Sequence, residues 1–113
     1  MPLIRIQTNT FIENYGKLSE ALTVLASEWL NKPKKYIMVM FMPELSMTMA
    51  GNFEPCAFIE FSSISLERSQ IKPISIGLTN YISRELNIRS DRIYIEFKNA
   101  EAECWSCDGV TFG

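Results

Sequence analysis

LNKPKKYIMVMF, at residues 30–41, aligns without a gap on LNIRSDRIYIEF, at residues 86–97. The two copies lie about half a chain apart in a sequence of 113 residues. Each copy predicts the end of a helix, a short polar connection and then a strand, because apolar residues alternate through its final positions. These alternating residues are Ile37, Val39 and Phe41 in the first copy and Ile93, Ile95 and Phe97 in the second.

The residues ahead of each copy have apolar side chains at the i, i+3, i+4, i+7 spacing of an amphipathic helix. They are Leu18, Ala21, Leu22, Leu25 and Leu30 in the first half and Ile74, Gly77, Leu78, Tyr81 and Leu86 in the second. A further strand is predicted ahead of each helix, at residues 3–8 and 57–63. The sequence therefore predicts one domain over residues 1–113, a duplicated β-α-β unit with halves at about 2–50 and 56–113.

The connections between parallel strands cross over right-handedly, which places both helices on one face of a four-stranded mixed sheet, an α/β (α+β) fold. A second set of apolar residues is assigned to the opposite face of this sheet. Its members are Ile4, Ile6, Met38, Met40, Met42, Phe61 and Tyr94. Such an apolar face predicts an interface with other copies of the chain. The alternative is that these strands alternate imperfectly and that one chain covers them.

The last residues, 103–113, contain Asp108-Gly109 between Trp105 and Phe112. Asp-Gly is a turn signal for a two-residue hairpin loop. The sequence therefore predicts a short terminal hairpin, and an isolated hairpin needs another surface to pack on, for which we expect the neighbouring subunit.

The composition excludes two classes of partner. A net charge of −2 and a pI of about 5.1 argue against nucleic-acid binding, which requires clustered lysine and arginine. No apolar stretch is long enough for a signal peptide or a membrane span, so we expect a cytoplasmic protein without a membrane partner.

The chain contains no histidine, so a catalytic base near neutral pH must come from another group. The chain has three cysteines, an odd number, and no secretory context, so we expect reduced thiols. They are Cys56, Cys104 and Cys107. Three cysteines without histidine cannot provide a four-ligand zinc site in one chain. We therefore expect neither a metal nor a cofactor.

Several short motifs, in order and along the full length, resemble the macrophage migration inhibitory factor family of the tautomerase superfamily. They are Met1-Pro2, Thr8-Asn9, Lys32-Pro33, Tyr36-Ile37, Glu54-Pro55-Cys56-Ala57, Ser63-Ile64, Asp91-Arg92-Ile93-Tyr94-Ile95 and Thr111-Phe112. The resemblance implies a homotrimer whose subunits surround a central channel, with a tautomerase site at each subunit interface. It also implies keto-enol tautomerisation of aromatic α-keto acids such as phenylpyruvate.

The resemblance implies a catalytic role for Pro2, whose secondary amine is free once Met1 is removed. An α-amine titrates at about 8, and burial beside the cation of Lys32 lowers its pKa toward neutrality, which suits a general base. Lys32 matches the family's cation for the substrate carboxylate or carbonyl, and Ile64 the position whose backbone amide assists. Tyr94 matches an aromatic hydroxyl that the adjacent subunit contributes.

The expected rim of the site departs from the family pattern. Its residues are Tyr36, Glu96, Trp105, Cys107 and Phe112. Glu96 replaces an asparagine that is frequent in the family, and its negative charge is expected to weaken binding of an anionic substrate. Cys107 aligns with an aromatic residue, and Trp105, two positions earlier on a strand, faces the same way and can partly replace it.

Two alternative functions stay open at this stage. The chain can be a cytokine-like, receptor-binding member of the family with vestigial catalysis, which adds a protein receptor to the expected partners. It can also be a thiol-redox protein that uses Cys104 and Cys107, although redox Cys-x-x-Cys motifs usually open a helix rather than lie in a hairpin. Cys56 lacks the second cysteine that some animal members have after Glu-Pro, so redox activity is not carried over to it.

Overall fold

The computed structural model describes all 113 residues. In chain order the elements are β1 (Leu3–Thr8), α1 (Tyr15–Leu30), β2 (Met38–Met42), β3 (Ala57–Ile64), α2 (Arg68–Leu86), β4 (Ile93–Ala100), β5 (Ser106–Cys107) and β6 (Val110–Thr111). Single 3-10 turns lie at Lys34–Tyr36, Ser90–Arg92 and Ala102–Cys104. The order confirms the predicted β-α-β repeat.

The first four strands form one sheet in the order β2-β1-β3-β4. β1 and β2 run parallel, as do β3 and β4, whereas the central pair β1 and β3 is antiparallel. Each half therefore contributes a parallel pair, and the halves join across the antiparallel pair. The predicted four-stranded mixed sheet is confirmed.

Both helices end in the same manner. Asn31 and Asn87 follow the last helical residues with φ of 52° and 53°, in the left-handed region that asparagine tolerates better than most residues. At the start of α1, the side chain of Asn14 accepts a hydrogen bond from the backbone N–H of Lys17. Neither helix is both long enough and apolar enough to span a lipid bilayer.

The helices cover one face of the sheet and touch each other closely at one point. A Cβ added to Gly77 would lie 2.7 Å from Cζ2 of Trp29, so glycine is what lets α2 approach α1 there. The buried side chains between the helices and the sheet form one core. Its fully enclosed members include Ile4, Ile6, Leu22, Ile59, Phe61, Leu78 and Ile82.

The prediction for the opposite face of the sheet is wrong for three residues. Ile4, Ile6 and Phe61 are fully buried under the helices. The neighbours of Ile4 and Ile6 in β1 point the other way, and Arg5 pairs in register with Met40. Alternation alone could not select the side, because β1 begins with apolar Leu3 and Ile4 in opposite orientations.

The remaining residues assigned to that face are exposed in the single chain. Met38, Met40, Met42 and Tyr94 have exposures of 61%, 38%, 36% and 64%. The face also has a charged centre that was not predicted, in which Glu60 lies 3.6 Å from Arg5 and 3.5 Å from Lys98. We call this side of the sheet the open face; it is apolar along β2 and charged across β1, β3 and β4.

The terminal hairpin is confirmed. β5 and β6 pair antiparallel, and Asp108 and Gly109 between them have φ of 54° and 75°, as a two-residue turn with two positive φ angles requires. Phe112 donates its backbone N–H to the carbonyl of Trp105 at 3.0 Å and packs edge-on against Tyr36. The hairpin therefore packs on its own chain, and its contact with a neighbouring subunit stays a prediction.

A buried cation holds the long segment between β2 and β3. The guanidinium of Arg92, which is only 6% exposed, donates hydrogen bonds to four carbonyl groups of this segment. They belong to Met49, Asn52, Glu54 and Pro55. Arg92 thus provides several of the donors that this irregular backbone needs, and the side-chain amide of Asn9 provides others.

Candidate active site

Pro2 lies immediately before β1 and is fully buried. Its carbonyl accepts a hydrogen bond of 3.0 Å from the backbone N–H of Met38, which extends the pairing of β1 with β2 by one residue. Pro2 lines a mostly apolar cavity of about 210 Å³, which we call the proline cavity. Met1, Tyr36, Trp105, Cys107 and Phe112 are among its other walls.

A second cavity of about 290 Å³ adjoins the first, and we call it the lysine cavity. It is lined by Met1, Lys32, Tyr36, Ile64 and Phe112. Met1, Tyr36 and Phe112 line both cavities, so the two share a wall. No aspartate or glutamate lines either cavity, and the lining is therefore suited to an anion.

Lys32 follows Asn31 in the turn after α1, and this turn directs its side chain toward the end of β3. Its Nζ donates hydrogen bonds to Ser63 Oγ at 2.8 Å and to the carbonyl of Ile64 at 2.5 Å. Partial burial lowers the pKa of Lys32 below its usual value, because the charged form is less well solvated there. The ammonium group has no carboxylate within ion-pair distance.

The terminal amine in this structure belongs to Met1, and the nitrogen of Pro2 is an amide. Burial lowers the pKa of the Met1 amine, the positive charge of Lys32 lowers it further, and Cys107 opposes this effect. The terminal amine therefore lies close enough to Lys32 to interact with its charge. Met1 directly precedes Pro2, and both residues line the proline cavity.

The structure brings together most of the expected site residues. Pro2, Lys32, Ile64, Tyr36, Trp105, Cys107 and Phe112 all line the two cavities. Ile64 contacts Lys32 through its carbonyl, a contact that was not predicted. Trp105 and Cys107 line one cavity, as does Ser106 between them, and Trp105 directly precedes β5, so their shared orientation on a strand stays a prediction.

Tyr94 and Glu96 do not join this group within one chain. Both side chains lie on the open face, and Glu96 is 3.5 Å from Lys98. Neither residue lines the proline cavity or the lysine cavity. Any contact of these two residues with the site requires a second subunit.

Two residues next to predicted positions were missed. Ser63, which anchors Lys32, directly precedes Ile64, and Lys35, in the wall of the proline cavity, directly precedes Tyr36. The ammonium group of Lys35 is 5.0 Å from the centre of the Tyr36 ring. Their sequence proximity to Ile64 and Tyr36 was the only available signal.

Comparison with known proteins agrees with this geometry. The family model described as macrophage migration inhibitory factor (MIF) matches residues 1–113. The chain is similar to the macrophage migration inhibitory factors of Xenopus tropicalis, at 31% identity over 114 residues, and Rattus norvegicus, at 33% over 115 residues, with 99% of both chains covered in each case. A crystal structure of the homologue from Prochlorococcus marinus superposes with a TM-score of 0.92 at 34% identity, covering 98% of this chain and 99% of that one. The chain therefore belongs to the macrophage migration inhibitory factor family, within the tautomerase superfamily.

Proposed function

We propose that this protein is a keto-enol tautomerase of aromatic α-keto acids such as phenylpyruvate, with the amine of Pro2 as its general base. Membership of the tautomerase superfamily supports isomerase activity. The observation on which the proposal rests is the position of Pro2, buried in the wall of a cavity that adjoins Lys32.

Removal of Met1 turns the amide nitrogen of Pro2 into a secondary amine. An exposed α-amine has a pKa of about 8. Burial and the charge of Lys32 lower the pKa of the Met1 amine, and we expect the same two causes to lower the pKa of the Pro2 amine. A lowered pKa increases the neutral fraction of this amine, the form that can accept a proton.

The proposed reaction moves one proton from carbon to oxygen. Pro2 takes the proton from the carbon next to the keto group, the C–H electron pair forms the C=C bond, and the carbonyl electron pair moves to oxygen. Pro2 then returns the proton to that oxygen. Lys32 opposes the negative charge that develops on the substrate oxygen, and the aromatic walls Tyr36, Trp105 and Phe112 accept the ring.

The site is proposed to be completed in a homotrimer, in which Tyr94 of the adjacent subunit orients the substrate. The exposed residues of the open face support association, because Met38, Met40 and Met42 leave a row of apolar side chains along β2 in water. Sedimentation should show a particle of three 13.0 kDa chains. Met40→Asp should weaken this assembly by burying an unpaired charge, whereas a wild-type monomer at micromolar concentration would contradict the trimer.

The decisive experiment compares processed protein with protein that retains Met1, each verified by intact mass. An amide nitrogen has its lone pair delocalised into the carbonyl group, so the unprocessed form lacks the base. We expect its turnover of phenylpyruvate to be lower by about 10²- to 10⁴-fold, the usual contribution of general acid-base catalysis.

The control is Pro2→Gly in the processed form, which keeps a terminal amine and should retain partial activity. Equal turnover by the two wild-type forms would mean that Pro2 is not the base.

A further inference from the structure

We infer that Lys35 is a second anion-binding residue of the site, so that the preferred substrate is an aromatic α-keto acid with a second carboxylate on its ring. This inference rests on the proposed function, because it assumes that the keto acid group binds at Lys32. It extends that function by naming a residue that selects among aromatic keto acids.

Lys35 is the only charged side chain in the wall of the proline cavity. Most of the other lining residues, including Tyr36, Ile37 and Trp105, are apolar or aromatic. None of the ion pairs in the chain involves Lys35, and its ammonium group lies 5.0 Å from the centre of the Tyr36 ring. A cation is therefore present at this wall without a carboxylate to neutralise it.

Lys32 and Lys35 lie in different cavities that share the walls Tyr36 and Phe112. A substrate bound with its keto acid at Lys32 places its ring among the aromatic side chains of the shared wall and the proline cavity. A substituent on the far side of that ring then points into the proline cavity, where Lys35 is the available cation. The lining of both cavities lacks aspartate and glutamate, so no acidic side chain of the wall competes with a substrate carboxylate.

Lys34 provides a matched comparison for Lys35. Both lysines belong to the same 3-10 turn, Lys34–Tyr36, and have the same charge. Lys34 lines neither cavity. An effect of general surface charge would involve both residues, whereas direct recognition of a ring carboxylate involves only Lys35.

The experiment measures kcat/KM of processed protein for phenylpyruvate and for para-carboxyphenylpyruvate. We expect the wild type to prefer the dicarboxylate by about five- to tenfold at low salt, the size of effect expected for one partly exposed charge pair. Lys35→Gln should reduce this ratio to near one, and Lys35→Glu should invert it. Lys34→Gln should leave the ratio as in the wild type. Added salt should lower the wild-type ratio, because a partly exposed pair is screened.

A wild-type preference for phenylpyruvate, or an equal fall of the ratio in Lys34→Gln and Lys35→Gln, would overturn the inference. A second measurement separates this result from failure of the proposed function. Benzoylformate and para-carboxybenzoylformate have no enolisable hydrogen, so calorimetry reports their binding alone. If neither phenylpyruvate is turned over, the tautomerase proposal fails, and the ratio of these two dissociation constants in wild type and Lys35→Gln still decides the role of Lys35.

Discussion

The two helix-to-strand connections, residues 31–36 and 87–92, have nearly the same backbone and very different side chains. Asn31 and Asn87 have ψ of 50° in both copies, and a single 3-10 turn follows each. A serine hydroxyl of the preceding helix holds each turn, with Ser27 donating to the carbonyl of Lys32 at 2.6 Å and Ser83 to that of Ile88 at 2.5 Å. The repeat seen in the sequence thus extends to individual hydrogen bonds.

The side chains at equivalent positions of the two connections have different roles. Lys32 lines a cavity, whereas its equivalent, Ile88, is 1% exposed and belongs to the core. Tyr36 lines both cavities, whereas its equivalent, Arg92, is buried and donates to backbone carbonyls. One backbone design therefore supports either a site or a core, and the side chains decide which.

The largest expected effect is on stability, in the second connection. Arg92→Ala should lower the free energy of unfolding by about 4 kcal/mol, because four hydrogen bonds to the carbonyl groups of Met49, Asn52, Glu54 and Pro55 are lost, at on the order of 1 kcal/mol each. Denaturant unfolding measures this. Arg92→Lys, which keeps the charge but loses the forked donor geometry, should recover only part of the loss. A loss below about 1 kcal/mol would show that the segment holds its shape without Arg92.

Exchanging the equivalent residues sharpens the comparison. Ile88→Lys places an unpaired cation at a buried position and should cost about 3 kcal/mol of unfolding free energy. Lys32→Ile should change stability by less than about 1 kcal/mol, as is usual for partly exposed positions, but should lower kcat/KM for phenylpyruvate by about 100-fold.

Unfolding and turnover are measured on both variants. Similar stability losses in the two would mean that Lys32 is as structural as Ile88, and an unchanged kcat/KM in Lys32→Ile would remove its proposed role.

The pH dependence gives a smaller test. Lys32 must be charged to oppose negative charge on the substrate, and burial lowers its pKa, so activity should fall at alkaline pH before reaching 10.5, the ordinary lysine value. The folded protein also binds fewer protons than the unfolded chain between these two pKa values, so Lys32 makes stability rise with pH across that window. Lys32→Arg stays charged and should move the fall in activity to higher pH and remove this rise. An unchanged pH profile in Lys32→Arg would assign the alkaline limb to another group.

Most of the fold could be predicted because each half of the repeat has a recognisable local sequence pattern. Helical spacing that ends at Leu30 and Leu86, each followed by asparagine and a polar turn, predicts the connections directly. The side of the sheet to which Ile4 and Phe61 point could not be predicted in this way. Their strands have apolar residues in both orientations, and only packing against the helices selects between them.

The site was predicted from the order of the family motifs. Except for Tyr94 and Glu96, the residues identified in this way line the two cavities. Lys35 was missed because a lysine in a polar turn resembles an ordinary solvated residue. Whether its ammonium group faces a cavity depends on the hairpin, whose residues are about 70 positions later in the sequence. The position of Tyr94 relative to the site depends on a second subunit.

The close approach of Gly77 to Trp29 has a spectroscopic consequence. Trp29 reports on the packing between the helices, while Trp105, the other indole of the chain, is in the wall of the proline cavity. Because indole emission responds to local polarity, unfolding changes the fluorescence of both tryptophans, whereas a bound aromatic acid changes mainly that of Trp105. In a Trp29→Phe protein the remaining emission therefore becomes an optical titration signal for the cavity, read without any added label.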